Sequence, residues 1–190
     1  MNILDELVPE RLSNFHNINQ FKCEAVSLNN FLKKDALEHQ RQRISFTTVY
    51  LHNDNIAGYV TLATDSITLE LDSIIDDLDT RFPQIPALKI CRIARDLEYV
   101  GYGVGVHMLE DAIAFANSLN RSENILGAGC RFVTVDIRDT SLIYGFYIPN
   151  GFDHHTSSQD GKIHHYRFDL GTLRYDEEYE STKLVVQGNI

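Results

Sequence analysis

Three glycines on alternate positions, Gly101, Gly103 and Gly105, lie in the stretch EYVGYGVGVHMLEDAIAFA and run straight into a helix-like pattern. Ordered glycine costs backbone entropy, so this spacing points to a backbone that turns unusually or comes close to something. A strand, a glycine turn and a helix make an anion site. Backbone N–H groups point outward, the helix N-terminus is partially positive, and missing Cβ atoms admit a diphosphate. Three readings compete for such a loop. A Walker loop requires G-x-x-x-x-G-K-[ST], and the chain has no such lysine here. A dinucleotide loop requires G-x-G-x-x-G where this chain has G-x-G-x-G, with Glu123 near the place of a ribose-binding acid. The third reading is a coenzyme A pyrophosphate loop.

Other reactive side chains are scattered. Tyr147 is the phenol of the stretch FYIPNGF, and a core aromatic is its plain structural reading. His154-His155 and His164-His165 suggest a metal, but neighbours on a strand point to opposite faces, so each pair offers one ligand per face. Packed or solvated histidines and no metal are therefore expected. Cys23, Cys91 and Cys130 are an odd number without close spacing, which suits reduced thiols and a cytoplasmic location. Cys91 reads as a buried strand cysteine. Arg92 either orients an acceptor or closes a structural salt bridge.

These groups must be positioned by a modest set of elements. At 190 residues the chain is expected to be one domain, 1–190, with its core over about 20–168 and an acidic tail over 173–190. Ser27 is expected to cap a helix over 28–42, with Leu28, Phe31, Leu32 and Ala36 at helical spacing. Strands are expected at 45–52 and 56–69, joined as a hairpin through Asn53-Asp54-Asn55. The acidic segment 70–82 is ambiguous, and 87–95 reads as a strand entering the glycine loop. Beyond the loop, Met108, Ala112, Phe115 and Leu119 form one helical stripe, with Glu110, Asp111, Asn117 and Ser118 facing away. Further strands are expected at 131–137 and 162–170, and a short helix at 140–148 that must end by Pro149. This alternation implies an α/β or α+β domain with a mixed sheet.

The formal charge is −10, which disfavours non-specific nucleic-acid binding. It is unevenly spread, however. Lys33, Lys34, Arg41 and Arg43 give the predicted helix a basic face, while 70–79 is acidic. No run approaches a membrane span, and the N-terminus lacks the pattern of a secretory signal.

RIARDLEYVGYGVG, followed by a helix, a strand and FYIPNGF, resembles the GNAT acetyltransferase family, whose loop reads Q/R-x-x-G-x-G/A and whose later element reads F-Y-x-x-x-G-F. The resemblance covers about 20–168. FKCEAVSLNNFLKKDALEHQ and GYVTLAT are similar to the branch that includes toxins of toxin–antitoxin pairs. Val100 departs from the pattern, being apolar where a polar residue is usual, so the loss of a side-chain contact to phosphate is expected to weaken cofactor affinity while the backbone contacts remain.

The resemblance implies a GNAT fold: a mixed central sheet splayed between its fourth and fifth strands, with helices on both faces. It implies acetyl-CoA as co-substrate. Ile93, Ala94 and Arg95 would hold the pantetheine arm by backbone, and the N–H groups of Val100, Gly101, Tyr102, Gly103, Val104, Gly105 and Val106 would surround the pyrophosphate. An amine would attack the thioester directly, with Tyr147 protonating the departing thiolate. Glu98, Asp65, His107 and a water chain remain alternatives for the base. The acceptor is a primary amine of a small molecule, peptide or protein; the alternative is a toxin acetylating aminoacyl-tRNA, and a third reading is an acyl-CoA-binding module without catalysis. A homodimer is the assembly considered, and no membrane partner is expected.

Overall fold

The computed structural model describes residues 2–68, 78, 84–121 and 127–173. Apart from Leu78, the acidic segment 70–82 lies outside the described residues, as do Glu123 and the tail beyond Leu173. Seven strands are hydrogen-bonded in the order β1-β2-β3-β4-β5-β7-β6. They are β1 (Val8–Arg11), β2 (Phe46–His52), β3 (Asn55–Thr68), β4 (Gln84–Arg95), β5 (Phe132–Ile137), β6 (Asp153–Ser157) and β7 (His164–Asp169). The chain divides into two compact units, Met1–Ala63 with Ile90–Ala112, and Thr64–Lys89 with Ile113–Ile190.

In the first unit β2 and β3 form the expected hairpin, with His52 opposite Asn55. Asn53 and Asp54 both have positive φ, 49° and 62°, the type I′ geometry whose twist matches that of the strands it joins. A helical stretch runs through α1 (Val26–Asn30), a π turn (Phe31–Asp35) and α2 (Ala36–Arg41). It starts one residue before Ser27, and Ala25 at the cap supplies no side chain, which corrects the expected Ser27 cap. Asn29 stabilises this start instead: its Oδ1 accepts the Cys23 N–H at 2.9 Å and its Nδ2 donates to the Cys23 carbonyl at 2.8 Å. Phe31, Leu32 and Ala36 pack on Val49 and Tyr59, with Leu12 and Phe21 closing the cluster. A fully buried leucine such as Leu32 contributes about 2–3 kcal/mol.

Helix α3 (Val104–Ser118) rests directly on strand backbone. A Cβ at Gly58 would lie 2.7 Å from Met108 Sδ and 3.1 Å from the Ala94 carbonyl, so only glycine fits there. Met108 and Ala112 are buried as expected, whereas Phe115 is 50% exposed and Asn117 is buried. The buried side of α3 turns from Met108 and Ala112 towards Ile113, Ala116 and Asn117, which carries Phe115 out. A straight helix against a twisted sheet changes the side it presents in this way.

In the second unit β5 runs parallel to β4. The Arg131 N–H donates to the Pro86 carbonyl at 2.8 Å, and further along Lys89 Nζ meets Asp136 at 2.6 Å, so the two strands advance together. β7 pairs antiparallel with β5, and β6 pairs antiparallel with β7 at the sheet edge. Ile67, Ile85, Ala87 and Phe132 form a local core. Arg131 and Asp169 close the start of β5 onto the end of β7 by a two-pronged bond, at 2.7 and 3.0 Å. No helix among the described residues is long and apolar enough to cross a membrane.

Candidate active site

The glycine loop belongs to the first unit. Asp96 at the end of β4 is buried, and its carboxylate accepts the Lys22 N–H at 2.6 Å and the Glu98 N–H at 2.9 Å. Its own N–H donates to the Ala57 carbonyl, so the loop leaves β4 from a fixed base. A 3₁₀ turn (Leu97–Tyr99) follows. Gly101 and Gly103 then adopt φ of +85° and +79°, while Gly105 is already inside α3 and has no positive φ. A Cβ at Gly101 would meet no atom within 4 Å, and one at Gly103 would meet only Leu4 Cδ1 at 3.5 Å. Left-handed backbone, not protein crowding, is what requires glycine at these two positions.

That backbone sets out a row of donors. The N–H groups of Gly101, Gly103, Val104, Gly105 and Val106 reach no acceptor among the described residues. Three of them belong to the first turn of α3, where an α-helix leaves its amides unpaired and its dipole is positive. No acidic side chain lies in that turn. Val100 and Tyr102 are half exposed beside the row, in keeping with a contact made by backbone. Among the strand residues expected to hold a pantetheine arm, Ala94 is buried in the core, Ile93 is half-buried, and half-buried Arg95 meets Glu24 at 3.7 Å.

Tyr147 belongs to the second unit, and the sequence around it explains how it is held. Asp139 caps α4 (Thr140–Leu142), accepting from the Ser141 N–H at 2.9 Å and the Ser141 hydroxyl at 2.7 Å. A π turn (Ile143–Tyr147) and a 3₁₀ turn (Ile148–Asn150) complete the run. The helical path therefore continues through Pro149, one of the 3₁₀ turn's own residues, and stops at Gly151, rather than ending by Pro149. Gly151 has φ +83°, and a Cβ there would press on the Phe168 ring at 2.9 Å. Asn150 Nδ2 donates to the Phe146 carbonyl at 2.6 Å, and the Phe152 N–H donates to the Tyr147 carbonyl at 3.1 Å. The Tyr147 ring meets Phe146 and Phe152 edge-on, at 5.0 and 5.5 Å.

The ring is buried, yet the hydroxyl makes no hydrogen bond to a described residue. No buried side-chain oxygen or nitrogen among those residues lacks a partner, so this hydroxyl oxygen must reach the surface. Burial pushes the Tyr147 phenol up to about 12, which keeps it protonated and able to donate.

The candidates for a base separate. His107 sits 3.8 Å from Asp111, which accepts the Tyr50 hydroxyl at 2.9 Å. Glu98 is exposed in the 3₁₀ turn. Asp65 lines a cavity of about 290 Å³ in the second unit and accepts the Thr134 hydroxyl at 2.6 Å. Arg92 closes no salt bridge with a described residue. Its guanidinium stands 5.2 Å over the Phe31 ring, and Nη1 donates to the Cys91 carbonyl. Cys91 is half-buried rather than buried. Of the basic face, Arg41 is bound to Glu38 at 2.7 and 2.5 Å, while Lys33, Lys34 and Arg43 make no ion pair with a described residue. Hydrogen bonds from Arg41 and Gln42 hold the Glu38 carboxyl down to about 2.

The histidine pairs lie on β6 and β7. His154 and His164 share the Ser157 hydroxyl, at 3.0 and 3.1 Å. His165 Nδ1 meets Asp136 Oδ1 at 2.6 Å, an arrangement that sequence reading missed. Its signal was the alternation of RFVTVDI and KIHHYRFDL, which places Asp136 opposite His165 once the two strands pair. Among the described residues no group of three or more His, Cys, Asp or Glu could hold a metal.

No protein-family model matches the chain. Among solved structures, the toxin AtaT complexed with acetyl-methionyl-tRNAfMet superposes with a TM-score of 0.70 at 20% identity, covering 87% of this chain and 95% of that one. A tyrosine-to-phenylalanine mutant of AtaT bound to the C-terminus of the antitoxin AtaR and acetyl-CoA gives 0.69 at 20% identity, over 88% and 95%. A tyrosine-to-phenylalanine mutant of KacT gives 0.69 at 17% identity, over 87% and 96%. The chain has the GNAT fold. Within the GNAT fold it resembles the toxin branch. A tRNA-acetylating toxin of Mycobacterium tuberculosis is 29% identical over 105 residues, which are 55% of this chain and 63% of that protein. The chain thus matches less than two thirds of that relative's length.

Proposed function

We propose that the chain is an acetyl-CoA-dependent N-acetyltransferase of the toxin type, whose acceptor is the α-amino group of aminoacyl-tRNA. The observation that carries the cofactor half is the row of five unpaired amides at Gly101, Gly103, Val104, Gly105 and Val106, set at a helix start by two left-handed glycines. A pyrophosphate is the ligand such a row suits. The acceptor half rests on likeness to the tRNA-acetylating toxin and to AtaT in complex with acetyl-methionyl-tRNAfMet. On the basic face, Lys33, Lys34 and Arg43 pair with no described acid and are available to RNA phosphates, so salt-sensitive binding of modest slope is expected. An antitoxin partner belongs to the same reading, as AtaT has AtaR.

Backbone groups of Ile93, Ala94 and Arg95 take the pantetheine arm, and the glycine loop takes the pyrophosphate. The amine attacks the thioester carbonyl, and positioning of the two reactants supplies most of the acceleration. Tyr147 is the acid. Its hydroxyl bonds to no described residue, and burial keeps the phenol protonated, so a proton is in place for the sulfur as it leaves. The test offers radiolabelled acetyl-CoA with charged tRNA, deacylated tRNA, free amino acids and peptides. Label is expected on charged tRNA alone. Label on free amino acids or peptides, with none on charged tRNA, would reverse the acceptor assignment.

A further inference from the structure

Apart from Tyr147, the second unit holds a polar cavity of about 290 Å³. Asp65, Lys89, Thr134, Asp136, His165 and Tyr166 line it. At its centre is a two-sided carboxylate. Asp136 Oδ1 lies 2.6 Å from His165 Nδ1, and Asp136 Oδ2 lies 2.6 Å from Lys89 Nζ. An ionised carboxylate only accepts, so the His165 proton sits on Nδ1 and the basic lone pair is left on Nε2. That Nε2 makes no hydrogen bond with any described residue, and a third of the His165 side chain is open to solvent. Burial raises the Asp136 carboxyl, but the bonds from Lys89 and His165 outweigh it and hold the group below its ordinary range.

The cavity is also in a suitable place. Asp136 is the penultimate residue of β5, a strand parallel to β4, and ligands of open α/β sheets bind at the carboxyl ends of such strands. Phe168, which packs on the Phe152 ring beside Tyr147, is three residues along β7 from His165 and so on the opposite face of the sheet. Acid and base therefore approach from different sides of β5 and β7.

We infer that this cavity receives the acceptor amine and that His165, oriented by Asp136, is its general base. The inference rests on the acetyltransferase reading and adds the group that reading lacks. An incoming ammonium gives one proton to His165 Nε2, which passes it to solvent. The neutral nitrogen forms the bond to the acetyl carbon, and its second proton leaves by the same route. The carbon–sulfur bond breaks, Tyr147 protonates the sulfur, and Tyr147 regains a proton from solvent. The sum is an ammonium and a thioester giving an amide, a thiol and one released proton. Thr134 and Asp65 form a second polar contact on the same wall, at 2.6 Å.

The titratable and charged groups that face His165 are Asp136 on β5, Lys89 on β4, Asp65 on β3, His155 on β6, and Tyr166 and Arg167 beside it on β7. The deciding experiment uses His165→Asn, whose amide still donates to Asp136, with His165→Gln as a second variant should the first fold poorly. With charged tRNA as acceptor, turnover is expected to fall about 100-fold. Acetyl-CoA affinity by calorimetry and thermal stability should be unchanged, and the acid-side limb of the rate–pH profile should disappear. Turnover at the wild-type rate with that limb intact in either folded variant overturns the base assignment and leaves the acetyltransferase reading standing. Wild-type protein that binds acetyl-CoA but transfers nothing to charged tRNA or any other amine overturns the reading, and the base with it.

Discussion

Replacing Gly101 by alanine separates a glycine needed for folding from one needed for a ligand. At φ +85° an L-residue costs about 1–2 kcal/mol. No atom lies within 4 Å of the new Cβ, so nothing steric adds to that. At roughly 2–4 °C per kcal/mol for a protein of this size, the midpoint should drop by about 2–8 °C, leaving it folded at 25 °C. The chain can relieve the strain only by rotating Gly101 towards negative φ, which turns the amides of 101 and 103 away from their present directions. Charge-assisted hydrogen bonds contribute about 1.5–3 kcal/mol each. Losing two should weaken acetyl-CoA binding by about 100-fold or more. Gly105→Ala is the companion, since a helical glycine replaced by alanine should gain about 0.5–1 kcal/mol of stability. Isothermal calorimetry with acetyl-CoA, beside thermal melts of both variants, reads the two effects apart. A Gly101→Ala protein that melts early yet binds acetyl-CoA with wild-type affinity would refute the pyrophosphate reading and leave an ordinary turn.

Other predictions follow from single contacts. Tyr147→Phe should cut turnover by about 100-fold or more while leaving acetyl-CoA affinity within a few-fold, since the ring packing on Phe146 and Phe152 is kept; equal turnover removes Tyr147 from the acid role. Because burial raises the folded phenol to about 12 against an ordinary 10, its protonated state stabilises the fold fully below pH 10, and that contribution is lost as pH rises towards 12. Ultraviolet titration should therefore show one tyrosinate, absent in Tyr147→Phe, forming near 12. Gly151→Ala combines φ +83° with a 2.9 Å approach to Phe168 and should destabilise by about 2–4 kcal/mol in denaturant melts. Asp96→Asn places a donor against the N–H of Lys22 or Glu98 and should cost about 1–3 kcal/mol, measured the same way.

Much of the candidate site's backbone geometry was legible because its signals are local. Gly101 and Gly103 announce a left-handed backbone within a few residues, and Asn53-Asp54 announces a hairpin turn in the same manner. The Phe-Tyr…Gly-Phe stretch is legible for a similar reason, since Gly151 is required both by φ and by the Phe168 ring. What was missed depends on partners distant in sequence. β1 is four exposed residues including Pro9, and β6 holds polar histidines, so neither carries an apolar alternation; each exists because an edge of the sheet was available to it. The Ser27 cap failed because Asn29, reaching back to Cys23, stabilises an earlier start. The Asp136–His165 pair spans 29 residues and becomes visible only when β5 and β7 are set in register.

The most direct measurement is mass spectrometry of the terminal aminoacyl-adenosine released from charged tRNA after incubation with acetyl-CoA. The wild-type chain should leave one acetyl group on the α-amino nitrogen, and Tyr147→Phe at matched cofactor saturation should leave almost none. Unmodified aminoacyl-adenosine after reaction with enzyme saturated in acetyl-CoA would contradict the account.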